Sequence, residues 1–532
     1  MTRCALICLA FAAVAAGAAE GRAAGELPGL AVTLAPGSGV AAAVAAPGGR
    51  FESVLRPLRD GGTEVTAIEV ESVIHAQLEA DSGPLSLAAP IVYAFVPGIA
   101  DRVEGLVATD SDGEIPLVAA DDPVDPSGWP YYRHWRAGRE VGFPVTIRYR
   151  SRVRPADGRR GPPFCIRATA GGVSGAGSGF LVLPENVTST SSMVRWDLGE
   201  LAPGSRAVTS FGEGEFELEG APAELVQGWY MAGPFESYPP QGDADGFSGS
   251  WLGEFPFDAQ GEMERAGRAY HFLGDFFEYL DPPPRYRVFM RVIGDPEARS
   301  SGTALTGSFM LSRGPIKPDD AESEAPRGTF FHEMIHQWVG AIEGPPGVAS
   351  WFSEGLTSYY TNLLPMLGGF ESVAEYGAGV NDIARNYYTS AARNLTAEQI
   401  GEVGFREEMT RRLPYQRGAL YFADLDSKIR AATQGEENLH SFMRDIFQQR
   451  EEGFRLDHDT WSELVGERVG PSARQGFLDV VIDGKTLVPA SDAFGPCFER
   501  RPATFQTEAG GEVEGYEWLR VESIADETCR SY

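Results

Sequence analysis

The sequence predicts a multidomain α+β protein: an N-terminal β-sandwich-like domain, then a domain that starts as mixed strands and helices and finishes as helices alone. Three observations predict it. At 532 residues the chain exceeds what one hydrophobic core usually supports. From about Leu27 to Leu225 the apolar residues fall in short alternating or continuous runs separated by Gly, Pro and Asp. Beyond Tyr360 they recur almost everywhere at helical spacing, as far as Phe477.

In chain order, Arg3, an apolar run from Cys4 to Ala16 and small residues about Ala16–Ala18 and Ala23–Ala24 read as a secretory signal peptide over residues 1–24. The run is shorter than the ~20 apolar residues a spanning helix needs, and no later segment reaches that length. The expectation is an exported protein, periplasmic or extracellular, without an integral membrane segment. Residues 25–225 form the β-rich domain, with strands expected at Glu64–Glu71, Ile91–Val96, Val145–Arg150 and Ser192–Leu198. The Gly-rich piece Gly171–Gly179 lacks the strand-before, helix-after context of a phosphate cradle and reads as a flexible turn. His134, within an aromatic run from Trp129 to Trp135, reads as part of a packed aromatic hairpin, with a carbohydrate-stacking patch as the alternative.

Residues 226–478 form the second domain. A strand and turn begin it at Gly228–Pro234. Met263, Ala266, Tyr270, Leu273 and Phe277 recur at helical spacing and predict a helix over Gly261–Leu280, ended by Pro282–Pro284. Strands follow at Tyr286–Ile293 and Gly302–Leu311, and then a polar loop over Pro315–Arg327. Further helices are expected at Tyr359–Leu367, Val373–Thr389, Leu413–Ala432, Leu439–Arg450 and Trp461–Val469. Residues 479–532 are a short C-terminal extension.

Composition narrows the function. A net charge of −30 excludes a broad nucleic-acid surface, which needs clustered Lys and Arg. Past the signal peptide three cysteines remain, Cys165, Cys497 and Cys529, none at zinc-site spacing. Export permits a disulfide, and Cys497 with Cys529 could close a C-terminal loop. The odd count leaves the pairing open. Asn186-Val-Thr and Asn394-Leu-Thr fit the glycan acceptor pattern.

The chemistry concentrates between Thr329 and Tyr360. His332 and His336 lie four apart inside an apolar helical pattern of Phe330, Phe331, Met334, Ile335 and Trp338, so both imidazoles share one helix face and can reach one ion. Glu333 lies beside them, where a carboxylate can take the proton of water acidified by such an ion, whose presence lowers the pKa to about 7. A third protein ligand is required, and Glu354 opens the next helical pattern. One Zn2+ is the expected cofactor.

His332-Glu333-Met-Ile-His336-Gln-Trp followed by Trp351-Phe-Ser-Glu354-Gly-Leu-Thr-Ser-Tyr-Tyr360 resembles the gluzincin zinc metallopeptidases. The second stretch is most similar to the glycyl aminopeptidase family, and the interval from His336 to Glu354 is nearer to the aminopeptidase N family. Pro414-Tyr415-Gln-Arg-Gly418 resembles the Tyr-x-Lys-Gly helix of both, and Val480–Pro489 the segment before the PDZ domain of the glycyl family. The resemblance spans about Leu225 to Pro489 and implies a thermolysin-like catalytic domain acting on peptides or proteins. It implies that His332, His336 and Glu354 bind zinc, that Glu333 is the general base, and that Tyr415 donates a hydrogen bond to the oxyanion. Two departures stand out. On the Gly-rich edge strand Leu305 occupies the place of the carboxylate that holds the substrate's free amine in the aminopeptidases. An apolar residue cannot pair with an ammonium, so aminopeptidase and endopeptidase both stay open. Too few residues follow Pro489 for a PDZ domain. The rival readings are a metal-bearing binding or scaffold protein without hydrolysis, which Leu305 favours and Glu333 and Tyr415 disfavour, and a zinc hydrolase acting on a non-peptide bond.

Overall fold

A computed structural model describes residues 49–155, 162–294, 300–314, 325–345, 347–404 and 406–531. The signal peptide expected at residues 1–24 lies outside the described residues. The N-terminal part is built of strands whose buried residues alternate. Phe51, Ser53, Leu55 and Pro57 point inward along Gly49–Leu58, as do Val145, Ile147, Tyr149 and Ser151 along Val145–Arg152. These strands belong to an eight-stranded sheet in which Gly49–Leu58 runs parallel to Val187–Trp196 and antiparallel to Ala67–His75. A five-stranded sheet containing Ser86–Tyr93 and Tyr131–Ala137 closes the same core, where Phe51, Val70 and Ile147 meet Leu87 and Ala89.

A third sheet has no counterpart in the sequence reading. It joins Gly172–Ala176 to Trp229–Gly233, the strand expected to open the second domain, so by pairing that strand belongs with the first. Gly171–Gly179 is accordingly no flexible turn. It is a buried strand followed by a 3-10 turn, and glycine is required because a Cβ on Gly175 would fall 2.8 Å from Ile166. Arg291 crosses into this region from the second domain. It is 2% exposed, and its guanidinium donates to the carbonyl oxygens of Ser174 (2.7 Å), Pro163 (2.8 Å) and Cys165 (3.2 Å). Burial lowers its pKa to about 9. One desolvated cation satisfied by three carbonyls ties the two parts together.

The run Ile91–Val96 is not one strand. Ser86–Tyr93 pairs back on Val96–Pro97, and the two turn residues, Ala94 (φ 46°) and Phe95 (φ 52°), are both left-handed. That conformation costs a non-glycine residue about 1 kcal/mol or more, and burial of Tyr93, Ala94 and Val96 in a core shared by both domains holds it in place. A continuous apolar run gives no sign of a turn when both arms are buried.

His134 sits neither in an aromatic core nor in a sugar-stacking patch. On the strand Tyr131–Ala137 its Nδ1 lies 2.9 Å from Glu185 and its Nε2 3.0 Å from Asp122. Burial alone would lower its pKa, but the two carboxylates outweigh burial and raise it above 6.5. A raised folded-state pKa contributes stability that is fully present below the unfolded value and is lost as pH rises through the folded one. The melting temperature should therefore fall as pH rises from about 6.5 through the raised folded-state value, and His134→Gln should flatten that slope. An unchanged slope in the variant would contradict the assignment. Asn186 is 8% exposed, accepts from the Ser86 N–H and donates to the Pro84 carbonyl, which leaves its amide committed inside the fold rather than offered to a glycan.

The second domain opens on a five-stranded sheet in the order Glu236–Tyr238, Phe247–Leu252, Tyr286–Val292, Ser308–Arg313, Ser301–Leu305. The strand expected over Gly302–Leu311 is a hairpin instead, turning at Thr306-Gly307, where Gly307 has φ +55°. Helix α1 (Ala259–Phe277) buries Met263, Ala266, Tyr270, Leu273 and Phe277 and ends at left-handed Glu278, before the prolines. Then come α2 (Arg327–Ile335), α3 (Ser350–Leu367), α4 (Val373–Thr389), α5 (Ala397–Val403), α6 (Glu408–Ala432), α7 (Leu439–Glu451), α8 (His458–Arg468) and α9 (Pro471–Phe477). No helix among the described residues is long and apolar enough to cross a membrane. Past α9, Phe498–Gln506 and Glu512–Arg520 form a hairpin, and Cys497 is disulfide-bonded to Cys529 while Cys165 is buried and free.

Candidate metal centre

Helix α2 is held on its apolar side by Phe330, Met334 and Ile335 in the main core, and from below by Tyr286, whose hydroxyl donates to the Glu333 carbonyl at 2.8 Å. Its last residue is Ile335. His336 is the C-cap, but with φ −58° and ψ −17° it keeps helical geometry, and its N–H reaches the His332 carbonyl at 3.4 Å. The two imidazoles therefore stand one turn apart on one face, rings 4.8 Å apart and nearly perpendicular.

Helix α3 brings the third donor. Nε2 of His332 lies 3.3 Å from Glu354 Oε2, Nε2 of His336 lies 3.5 Å from the same oxygen, and the two Nε2 atoms are 3.2 Å apart. Ligands on a tetrahedral zinc ion at about 2.0–2.2 Å are separated from one another by roughly 3.3–3.6 Å. The His2Glu donor set and its spacing fit that ion. Three such atoms turned on one point repel each other unless a proton or a metal cation lies between them. Burial would raise the Glu354 pKa, but the imidazoles of His336 and His332 outweigh it and hold the carboxyl at about 2. For His336, burial lowers the pKa and Glu354 more than restores it, so the ring is more basic than usual.

The same helix orients the rings. Thr357 and Thr361 follow Glu354 by three and seven residues and so share its face. Thr357 Oγ1 is 3.3 Å from Nδ1 of His336, and Thr361 Oγ1 is 3.4 Å from Nδ1 of His332. With Nδ1–H donating to each hydroxyl, the tautomer a metal requires, the Nε2 lone pair is left for the ion. The sequence reading gave neither threonine a role; the spacing +3 and +7 from Glu354 was the available signal. Thr357→Val and Thr361→Val should each weaken zinc binding about 10- to 100-fold in competition with a chromophoric chelator. Wild-type affinity in both would contradict this role.

Tyr415 arrives from α6. Its ring stacks on the His332 imidazole, centroids 5.7 Å apart and planes inclined by 18°. Two glycines set that distance. A Cβ on Gly418 would lie 2.5 Å from both the Gly355 Cα and the Trp351 carbonyl oxygen, so α3 and α6 cross backbone to backbone. Gly355 follows Glu354 directly, and Gly418 lies one turn after Tyr415; the crossing thus registers Tyr415 against the ligands. Helix α6 begins at Glu408 and runs through Pro414, five residues ahead of the start expected at Leu413. Trp351 and Phe352 pack with Phe422 and Trp461 as helix core. Glu333 is fully buried on the same turn as the two histidines.

No family model matches the sequence, and no curated protein is similar to it at a significant level. Solved structures are. An aminopeptidase N family protein from Idiomarina loihiensis superposes with a TM-score of 0.66 at 16% identity, over 85% of this chain and 79% of that one. An M1 zinc metallopeptidase from Deinococcus radiodurans, in a mutant form bound to the substrate Tyr-Ser-Ala, superposes with a TM-score of 0.50 at 17% identity, over 83% and 96%. At these identities the likeness concerns the fold: a β-rich N-terminal domain ahead of a helical C-terminal half.

Proposed function

We propose, for a chain that has the fold of the M1 zinc metallopeptidases, that it is a zinc-dependent peptidase with one ion held by His332, His336 and Glu354. The observation that carries the reading is the convergence of these three donor atoms, all within 4.8 Å of one another, with both imidazoles oriented from behind by threonine hydroxyls. Bound there, zinc would polarise the scissile carbonyl and lower the pKa of the attacking water. Glu333 takes the proton of that water and returns it to the leaving amine, and its complete burial keeps bulk solvent from competing for the proton. Tyr415 donates its hydroxyl hydrogen to the carbonyl oxygen as charge develops there, held in place by its stack on His332.

Substrates are peptides or proteins, met outside the cytoplasm. The Cys497–Cys529 disulfide supports export, since such bonds persist in oxidising compartments. Digestion of a peptide library followed by mass spectrometry tests the reading. Cleavage by the wild-type protein is expected; intact peptides at every position would favour a metal-bearing scaffold, for which a buried base and a stacked phenol have no use.

A further inference from the structure

Arg411 lies on α6 one turn before Tyr415, on the same face and near enough for the phenol to influence its charge. Its guanidinium stands 5.1 Å over the ring of Phe95, the left-handed residue at the tip of the 86–97 hairpin. That tip is fixed on two sides. Phe95 donates its N–H to the Gly128 carbonyl at 2.9 Å and packs on the interdomain core that includes Tyr93, Trp229 and Leu305. The neighbouring Trp129 lies against Gly347, in the connection between the helices carrying His332 and Glu354, where a Cβ would fall 2.9 Å from the indole. The N-terminal domain thus presents a backbone-strained aromatic to the metal side of α6, and that aromatic supports a cation.

Among the described residues the cation has an aromatic ring beside it but no carboxylate partner. Burial lowers its pKa, as expected of a charge taken partly out of water. Among the described residues Nε of Arg411 is buried without an acceptor, and no carboxylate forms an ion pair with it, although Glu408 contributes at longer range. Its neighbour Arg412, by contrast, is paired with Glu408 at 2.7 Å. Arg291 is also desolvated without a carboxylate, but three carbonyl oxygens accept from it; Arg411 has an aromatic ring beside it instead, and its planar fork matches a carboxylate.

We propose that Arg411, braced by Phe95, binds a carboxylate of the peptide substrate and makes this site select for an anionic group. This rests on the peptidase reading above. The carboxylate comes either from the C-terminus of a short peptide or from an Asp or Glu side chain. The test compares kcat/KM for a peptide carrying both, for its C-terminal amide, for the form with Gln and Asn in place of the acidic residues, and for the form with both changes. Wild type should prefer the carboxylate-bearing peptide to the fully neutral one roughly 10- to 100-fold. Whichever single change removes the preference identifies the source. In Arg411→Met, with zinc content as the folding control, the ratio should collapse towards one, and Arg411→Lys should retain part of it. Equal cleavage of charged and neutral peptides by wild type, or a ratio that survives Arg411→Met, would overturn the proposal and leave the peptidase reading standing. Failure to cleave any of the four would overturn both.

Discussion

Glu333→Gln is expected to lower kcat about 10²- to 10⁴-fold while zinc stays bound. The amide has nearly the size of the carboxylate it replaces in a fully buried position, so packing in α2 is kept, but it cannot take a proton at neutral pH. The three metal donors lie on other residues, and the two imidazoles among them are contacted from α3 by Thr357 and Thr361. Metal content and the rate of peptide hydrolysis, measured on the same preparation, check this. A zinc-loaded variant that hydrolyses peptides at the wild-type rate would remove Glu333 from the chemistry.

The second large effect is expected from a residue that has no side chain. In Gly418→Ala the added methyl meets the Gly355 Cα and the Trp351 carbonyl at 2.5 Å, and both are backbone atoms that no rotamer change can move aside. The helices must part, at a cost of about 1–3 kcal/mol of stability. Tyr415, one turn away, moves with α6 while His332 and Glu354 stay with α2 and α3. A displacement of roughly 1 Å at a positioned group can cost about 100-fold in rate, so kcat should fall by that order with zinc retained. Activity and melting temperature at wild-type values would show that the crossing does not set the position of Tyr415.

These two glycines show where the sequence was legible and where it was not. The convergence of His332, His336 and Glu354 could be read directly, because metal chemistry permits few residue types and the helix fixes the spacing of the histidines. The helices after Tyr360 were equally plain, each with an apolar stripe that has one face to bury, as in α4 and α7. Turns inside apolar runs could not be read. Ala94-Phe95 interrupts continuous hydrophobic sequence, and its reversal is set by partners distant in the chain, the interdomain core around Trp229 and Met310; at Thr306-Gly307 the signal was a short polar break that turns into the local pairing of Ser301–Leu305 with Ser308–Arg313. The Gly171–Gly179 segment misled for a related reason. Glycine serves flexibility and close approach alike, and only the positions of Ile166 and its neighbours tell which. Thr357 and Thr361 lay in plain sight at the right spacing, but a threonine becomes an orienting group only once an imidazole is placed beside it.

The most direct test of the central claim is zinc per chain, measured by elemental analysis, with peptide hydrolysis followed as the metal is stripped by a chelator and then restored. One zinc per chain is predicted, with activity lost as zinc leaves and regained when it returns. A purified protein that carries no zinc, or one whose peptide hydrolysis is indifferent to the chelator, would contradict it.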